Sequence, residues 1–378
     1  MKEMFRRLNA SFTHNLLNIP GWRTPKRIVV IESDDWGSIR MPSNEVYSKL
    51  VSKGYDISRS DYNRLDTLES NDDLSMLFEV LKSHKDCMGN FPVITANMIV
   101  GNPDFIKIRQ SDFSEYHFEP VIETLKRYPG RDSVVFLWNT GNKEKIFHPQ
   151  FHGREHVNVV RWMEALNKRT PKILFTFECN TTFSGDGDYN FMEVLDFNTP
   201  DDLIKMKESL TEGLNIFEDI FGYRSKSFIP PCYTWNSEVE KVLHQQGVMY
   251  IQGLVVQSIP TGSFGNYKKK YHYLGKRNQF GQCFLIRNAF FEPSLTKLND
   301  SIGECLRRIE IAFRWKKPAI ISSHRINYVG ALNEENRRNN LKLLDELLRR
   351  ILNKWPDVEF MTSDQLGEMI SDKDKLKA

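Results

Sequence analysis

The chain has 378 residues, 40% hydrophobic and 27% charged, a globular composition with length enough for a sizeable core, which excludes a disordered or fibrous protein. Basic residues number 52 against 49 acidic, and with no clustered basic stripe this near-balance argues against a nucleic-acid partner. Five scattered cysteines without a CxxC point to free, mostly buried thiols in a reducing compartment. No run of about 20 apolar residues is available to span a membrane, and residues 1–26 hold no continuous apolar leader, so the expected location is cytoplasmic.

Residues 1–26 read as an N-terminal extension. Arg27 to Glu32 (RIVVIE) is then the first short apolar run, the pattern of a buried strand. Residues 43–88 break the rhythm and read as an insertion. Further strands are expected at Pro92 to Ile99, Ser133 to Trp138, Lys172 to Glu178, Lys226 to Ile229, Val248 to Gln252, Cys283 to Arg287, Pro318 to Ser322 and Val358 to Met361. Between them, apolar residues at three- and four-residue spacing predict helices over Val157 to Leu166, Asp201 to Phe221 and Leu332 to Leu352. Residues 254–282 form a second insertion, in which Lys268-Lys269-Lys270 reads as solvated loop. Strand–helix alternation over 27–370 predicts one α/β domain, an open parallel sheet or a barrel, followed by a charged tail at 371–378. In either architecture functional residues gather where strands end.

Asp34 and Asp35 stand at such an end. Adjacent carboxylates repel, so keeping both ionised calls for a cation or a shared proton; the simpler reading is one aspartate capping a turn and the other solvated. His148, His152 and His156 form two overlapping i,i+4 pairs, a spacing that on a helix puts two imidazoles on one face, able to share a metal. Pro149 disfavours helix at His148, and the helix over Val157 to Leu166 is expected to begin near His152. The pair chosen is therefore His152 and His156, with His148 a nearby support or substrate residue. His324 ends another apolar run and is a candidate general acid. Asn97, Glu178, Arg287, Asn288 and Glu292 also follow apolar runs and could line a pocket, a structural hydrogen bond being an equal alternative. Trp36, Trp138, Trp235 and Tyr233 could stack on a sugar, though core packing is the commoner fate.

In their order these motifs resemble the polysaccharide deacetylases of carbohydrate esterase family four. Glu32-Ser33-Asp34-Asp35-Trp36 is similar to that family's strand-terminal Thr-Phe-Asp-Asp-Gly, and His152-Gly153-Arg154-Glu155-His156 to its His-Ser/Thr-x-x-His. Phe228-Ile229-Pro230-Pro231-Cys232-Tyr233 resembles Arg-x-Pro-Tyr/Trp, and Ser322-Ser323-His324 resembles Leu-x-His. The resemblance implies a distorted (β/α) barrel with loop insertions, acting on an acetylated sugar or glycan. It implies a divalent metal on Asp35, His152 and His156, zinc first, with cobalt, nickel or manganese as alternatives. Asp34 would be the base, His324 the acid, and a backbone amide at Cys232 or Tyr233 the oxyanion donor. Trp36 stands where the family has glycine. Ile229 replaces the arginine that orients the base, with Arg154 and Arg325 as candidate substitutes. Two other functions compete: a glycoside hydrolase using carboxylates such as Asp34 and Glu178 without a metal, and a non-catalytic carbohydrate-binding relative.

Overall fold

The computed structural model describes residues 13–183, 191–295 and 300–375. Within them the apolar runs form one all-parallel sheet: β1 (Arg27–Trp36), β2 (Ile94–Ile99), β3 (Phe147–Gly153), β4 (Ser227–Phe228), β5 (Tyr250–Gly253), β6 (Cys283–Ile286), β7 (Ala289–Phe290), β8 (Ala319–His324) and β9 (Val358–Met361). The order across the sheet is β6-β5-β4-β3-β2-β1-β8-β7, with β9 on the first half of β1. Strands adjacent in the chain are thus adjacent in space, and β8 comes back to β1, so the sheet curls into a ring. Its two edges, β6 and β7, are separated by Arg287 and Asn288 alone. The Arg287 N–H donates to Gly253 O of β5 at 2.9 Å, and the Asn288 N–H to Ile320 O of β8 at 3.1 Å. The run Cys283–Phe290 therefore fills the gap as one broken strand. This is the distorted (β/α) barrel expected from the sequence.

Side chains along β1 alternate between two environments, as a strand requires. Val29 and Ile31 pack outward under the helices, whereas Ile28 and Val30 join Leu285, Ile320 and Tyr250 in a separate cluster within the ring. Both faces are covered, which is why the strand sequences are apolar almost throughout.

The helices named below are α1 (Asn44–Ser52), α2 (Asp61–Leu65), α3 (Asn71–Lys82), α4 (Val134–Lys143), α5 (Val159–Asn167), α6 (Pro171–Glu178), α7 (Pro200–Phe221), α8 (Glu334–Lys354) and α9 (Ser363–Lys375). The three long helices expected from periodicity are α5, α7 and α8. Two expected strands are helices instead. In α4, Val134, Trp138 and Gly141 are buried at helical spacing; in α6 the buried residues are Ile173, Thr176 and Phe177, and Pro171 occupies the first turn. Runs of six or seven apolar residues carry too little periodicity to separate the two forms. Helix α9 closes the N-terminal end of the barrel, Leu366 and Ile370 entering the inner cluster. Gly367 permits this approach, since a Cβ there would lie 2.4 Å from the Tyr250 ring.

Residues 43–88 hold α1, α2 and α3. Residues 254–282 hold an antiparallel hairpin, Val256–Pro260 with Tyr267–Tyr271, so the three lysines lie on a strand and not in a loop. Among the described residues all five cysteines are free, Cys179, Cys283 and Cys305 being buried, and no helix is long and apolar enough to cross a membrane.

The 43–88 segment is riveted to the barrel by Arg325, which is fully buried. Its Nη2 and Nε reach the Asp66 carboxylate at 3.0 and 3.1 Å, and its Nη1 reaches Glu69 at 2.9 Å and Ser38 O at 2.8 Å. Arg325→Met would strand two buried carboxylates, a loss of about 3–5 kcal/mol. Urea unfolding should show a lower midpoint with an unchanged slope; a change under about 1 kcal/mol would contradict the rivet.

Candidate active site

Three strand ends build the site. Asp34 on β1 lies in parallel register with His324 on β8, and His152 ends β3. Strict alternation would send Asp34 and Asp35 to opposite faces. Instead the β1–β2 register slips between Ser33 and Trp36, and Asp35 adopts a left-handed φ of 75°. That bulge brings the Asp35 carboxylate to the same cleft as Asp34. Gly37 completes the turn at φ 78°, where a Cβ would sit 2.2 Å from Ile99 O. Trp36 packs against Phe147 and Tyr328 in the core.

One atom, Asp35 Oδ1, faces two imidazoles: His152 Nε2 at 3.5 Å and His156 Nε2 at 3.2 Å. One ligand atom from each of the three residues lies within 4.8 Å of the other two, the compactness a shared cation needs. His152 Nδ1 is 2.7 Å from Ile229 O. A carbonyl only accepts, so Nδ1 carries a proton and Nε2 is the ring nitrogen turned toward the cluster. Burial lowers the His156 pKa to about 4, keeping that ring neutral. Two imidazole nitrogens and a carboxylate oxygen are a borderline-metal donor set.

Asp34 belongs to a different network. Arg287, fully buried at the break between β6 and β7, grips both its oxygens, Nη2 to Oδ1 at 2.6 Å and Nη1 to Oδ2 at 2.7 Å. The Arg287 Nε donates to Glu32 at 2.6 Å, and Asn97 Nδ2 donates to Asp34 Oδ1 at 2.7 Å. Burial pushes the Asp34 carboxyl up, but the Arg287 charge and hydrogen bonds outweigh it and bring the pKa to about 2. Asp34 is therefore an anion at any physiological pH. His324 Nε2 lies 3.7 Å from Asp34 Oδ2, and its Nδ1 donates to Glu292 at 2.6 Å. Burial would lower the His324 pKa, yet Glu292 dominates and raises it to about 9, so the ring is cationic at neutral pH.

The charges do not balance. Six carboxylates (Glu32, Asp34, Asp35, Asp66, Glu69, Glu292) meet the cations Arg40, Arg287, Arg325 and His324. Arg287 serves two of these carboxylates and so does Arg325, and burial pushes the Glu32, Asp66 and Glu69 carboxyls up, so acidic groups outnumber the cations around the cleft.

The cleft has a volume of about 400 Å³ and is lined by Asp34, Asp35, His152, His156 and His324, by Arg40 just after β1, by Tyr62 from the first insertion, and by the turn through Pro230, Cys232 and Tyr233. No family model and no curated protein matches the chain. Solved structures do, at low similarity. A 4-alpha-glucanotransferase from Thermococcus litoralis shares 9% identity and a TM-score of 0.44 over 91% of this chain, which spans 40% of that protein's length. A protein from Mycobacterium smegmatis assigned as a polysaccharide deacetylase shares 10% identity and a TM-score of 0.43, covering 94% of each chain. BA3943 of Bacillus anthracis, a CE4 family pseudoenzyme, shares 10% identity at a TM-score of 0.36 over 90% of this chain and 66% of its own. Similarity at this level does not fix the family of this chain.

Several expected residues lie elsewhere. His148 and His152 sit on a strand, not a helix, so four residues separate them by about 13 Å. His148 faces the closed end of the barrel, where it meets Asn142 at 2.9 Å and Asp364 at 3.1 Å. His156 reaches the site from the loop that follows β3. Neither candidate for the base-orienting arginine touches Asp34: Arg154 pairs with Glu155 and Glu212, and Arg325 holds Asp66 and Glu69. The arginine that does grip Asp34 is Arg287, first read as a pocket-lining residue. Glu178 ends α6 and pairs with Arg109 outside the cleft lining, which removes the proposed Asp34–Glu178 acid/base pair. Arg40 and Tyr62 were not anticipated. Arg40 bonds Asp35 Oδ2 at 3.3 Å and lies over the Tyr62 ring at 5.3 Å; Arg40 stands in irregular chain after β1 and Tyr62 on a five-residue helix, and neither setting offered a signal.

Because the folded His324 pKa lies above its ordinary 6.5, its partner contributes stability fully below that value, lost as the pH rises through about 9. Glu292→Gln should move the His324 imidazole titration, followed by NMR, down by at least about one unit. Titration still near 9 in that variant would show that Glu292 is not the cause.

Proposed function

We propose that the protein is a metal-dependent hydrolase that removes N- or O-linked acetyl groups from a sugar or glycan precursor. The observation that carries this reading is the convergence of Asp35, His152 and His156 in one cleft with an ionised Asp34 and a cationic His324. A divalent metal, zinc first, held by Asp35, His152 and His156 would polarise the acetyl carbonyl and acidify water.

The chain's own groups supply the rest. A carboxylate offers about four lone-pair sites. Asp34 Oδ1 spends its pair on Arg287 and Asn97, while Oδ2 takes one bond from Arg287 and keeps one site toward His324. That site orients the attacking water and receives its proton. Across the cleft His324 gives a proton to the departing amine or alcohol as the C–N or C–O bond breaks. The Tyr233 N–H is taken by Pro230 O at 3.0 Å, so Cys232, held at φ 53°, is the amide assigned to the developing oxyanion.

Acetate release from acetylated sugars, measured after chelation and re-addition of zinc, cobalt, nickel or manganese, tests the proposal. Activity should return with metal, and Asp34→Asn and His324→Ala should each lower it by about 10²–10⁴-fold, while His148→Ala leaves it within a few-fold. Release that persists in Asp34→Asn, or that ignores the metal, would overturn it.

A further inference from the structure

We infer that the substrate is a free acetylated sugar or the end residue of a short glycan, and that Tyr62 imposes this limit by walling off the leaving-group side of the cleft. The inference rests on the deacetylase reading above and adds the substrate's size class to it.

His324 is the group assigned to protonate the leaving atom, so the body of the sugar must lie beside its ring. The Tyr62 ring occupies that side, edge-on to the His324 ring with centroids 5.7 Å apart. Tyr62 is backed by the Arg40 guanidinium at 5.3 Å, which is itself held to Asp35 at 3.3 Å and to Asp66 at 3.5 Å. Helix α2 runs directly into Asp66, one of the two carboxylates that Arg325 clamps with no solvent exposure on either partner. A wall fastened by a buried ion pair is costly to displace, because opening it would uncover unpaired charge.

An enzyme that works along a polymer needs a cleft open on both sides of the reacting residue. Here one side is closed, and the cleft volume of about 400 Å³ lies near the low end of the roughly 300–1,000 Å³ of small-molecule sites. Ser60 and Asn63 flank Tyr62 in the lining, placing a hydroxyl and an amide where sugar hydroxyls need partners. The aromatic ring offers the apolar face on which a pyranose packs.

The test compares N-acetylated hexosamines (gluco, galacto and manno), a chitin tetramer and soluble glycol chitin as substrates of the zinc-loaded protein, with mass spectrometry locating the residue that has lost acetate. The expected result is reaction with a monosaccharide and with one end of the tetramer, and at least tenfold slower release per acetyl group from polymer interiors. Tyr62→Ala should narrow that ratio at least threefold. Calorimetry on Asp34→Asn, in which Tyr62 is untouched, should show monosaccharide binding at least as tight as tetramer binding per site. Internal residues released as fast as the monosaccharide, or a ratio unmoved in a folded Tyr62→Ala protein, would overturn the wall while leaving the deacetylase reading intact. No acetate from any of these substrates would count against both.

Discussion

Arg287 stands where the barrel wall is broken, between a strand half that pairs with β5 and one that pairs with β8. From that position it binds Glu32 and both oxygens of Asp34 with no exposure to water. Without it two carboxylates two residues apart on one strand would face each other in a low-dielectric interior, and one would have to take up a proton. The guanidinium keeps Asp34 anionic and oriented, and it ties the first strand of the ring to the last gap in it. The break in the barrel wall and the fixed charge of Asp34 thus meet in one residue.

The rest of the cleft follows from charge. Glu292 converts His324 to a cation, Arg40 neutralises one side of Asp35, and Arg325 fixes Asp66 and Glu69. What remains is the Asp35 Oδ1 atom, facing the Nε2 atoms of His152 and His156. Buried ion pairs are poor contributors to stability in themselves. Under the proposed function, their concentration at the C-terminal ends of the strands would be preorganisation, fixed charges requiring no rearrangement when charge develops in a reaction.

Much of this was legible in the sequence because strand ends are linear features. The run before Asp34 and the run before His324 each mark a strand, and the side chain that lines the cleft follows at once. The trio Asp35, His152 and His156 was legible too, but through the wrong local geometry: the i,i+4 spacing suggested a helix, whereas a strand and a following loop bring the two rings together, leaving His148 at the far end of the barrel. Ser133 to Trp138 and Lys172 to Glu178 could not be told from strands because each run is under two helical turns. The partners of the cleft's charged groups were illegible for a different reason. Asp34 and Arg287 are 253 residues apart, and nothing local to Arg287 announces which of several carboxylates it will meet.

The central claim is that Asp35, His152 and His156 hold one divalent metal. Anomalous diffraction from a crystal of the zinc-loaded protein, recorded on both sides of the zinc edge, tests it most directly. The account predicts a single strong peak at about 2.0–2.2 Å from the two Nε2 atoms and an Asp35 oxygen. A zinc peak elsewhere, with no density between these three residues in well-ordered crystals, would contradict it.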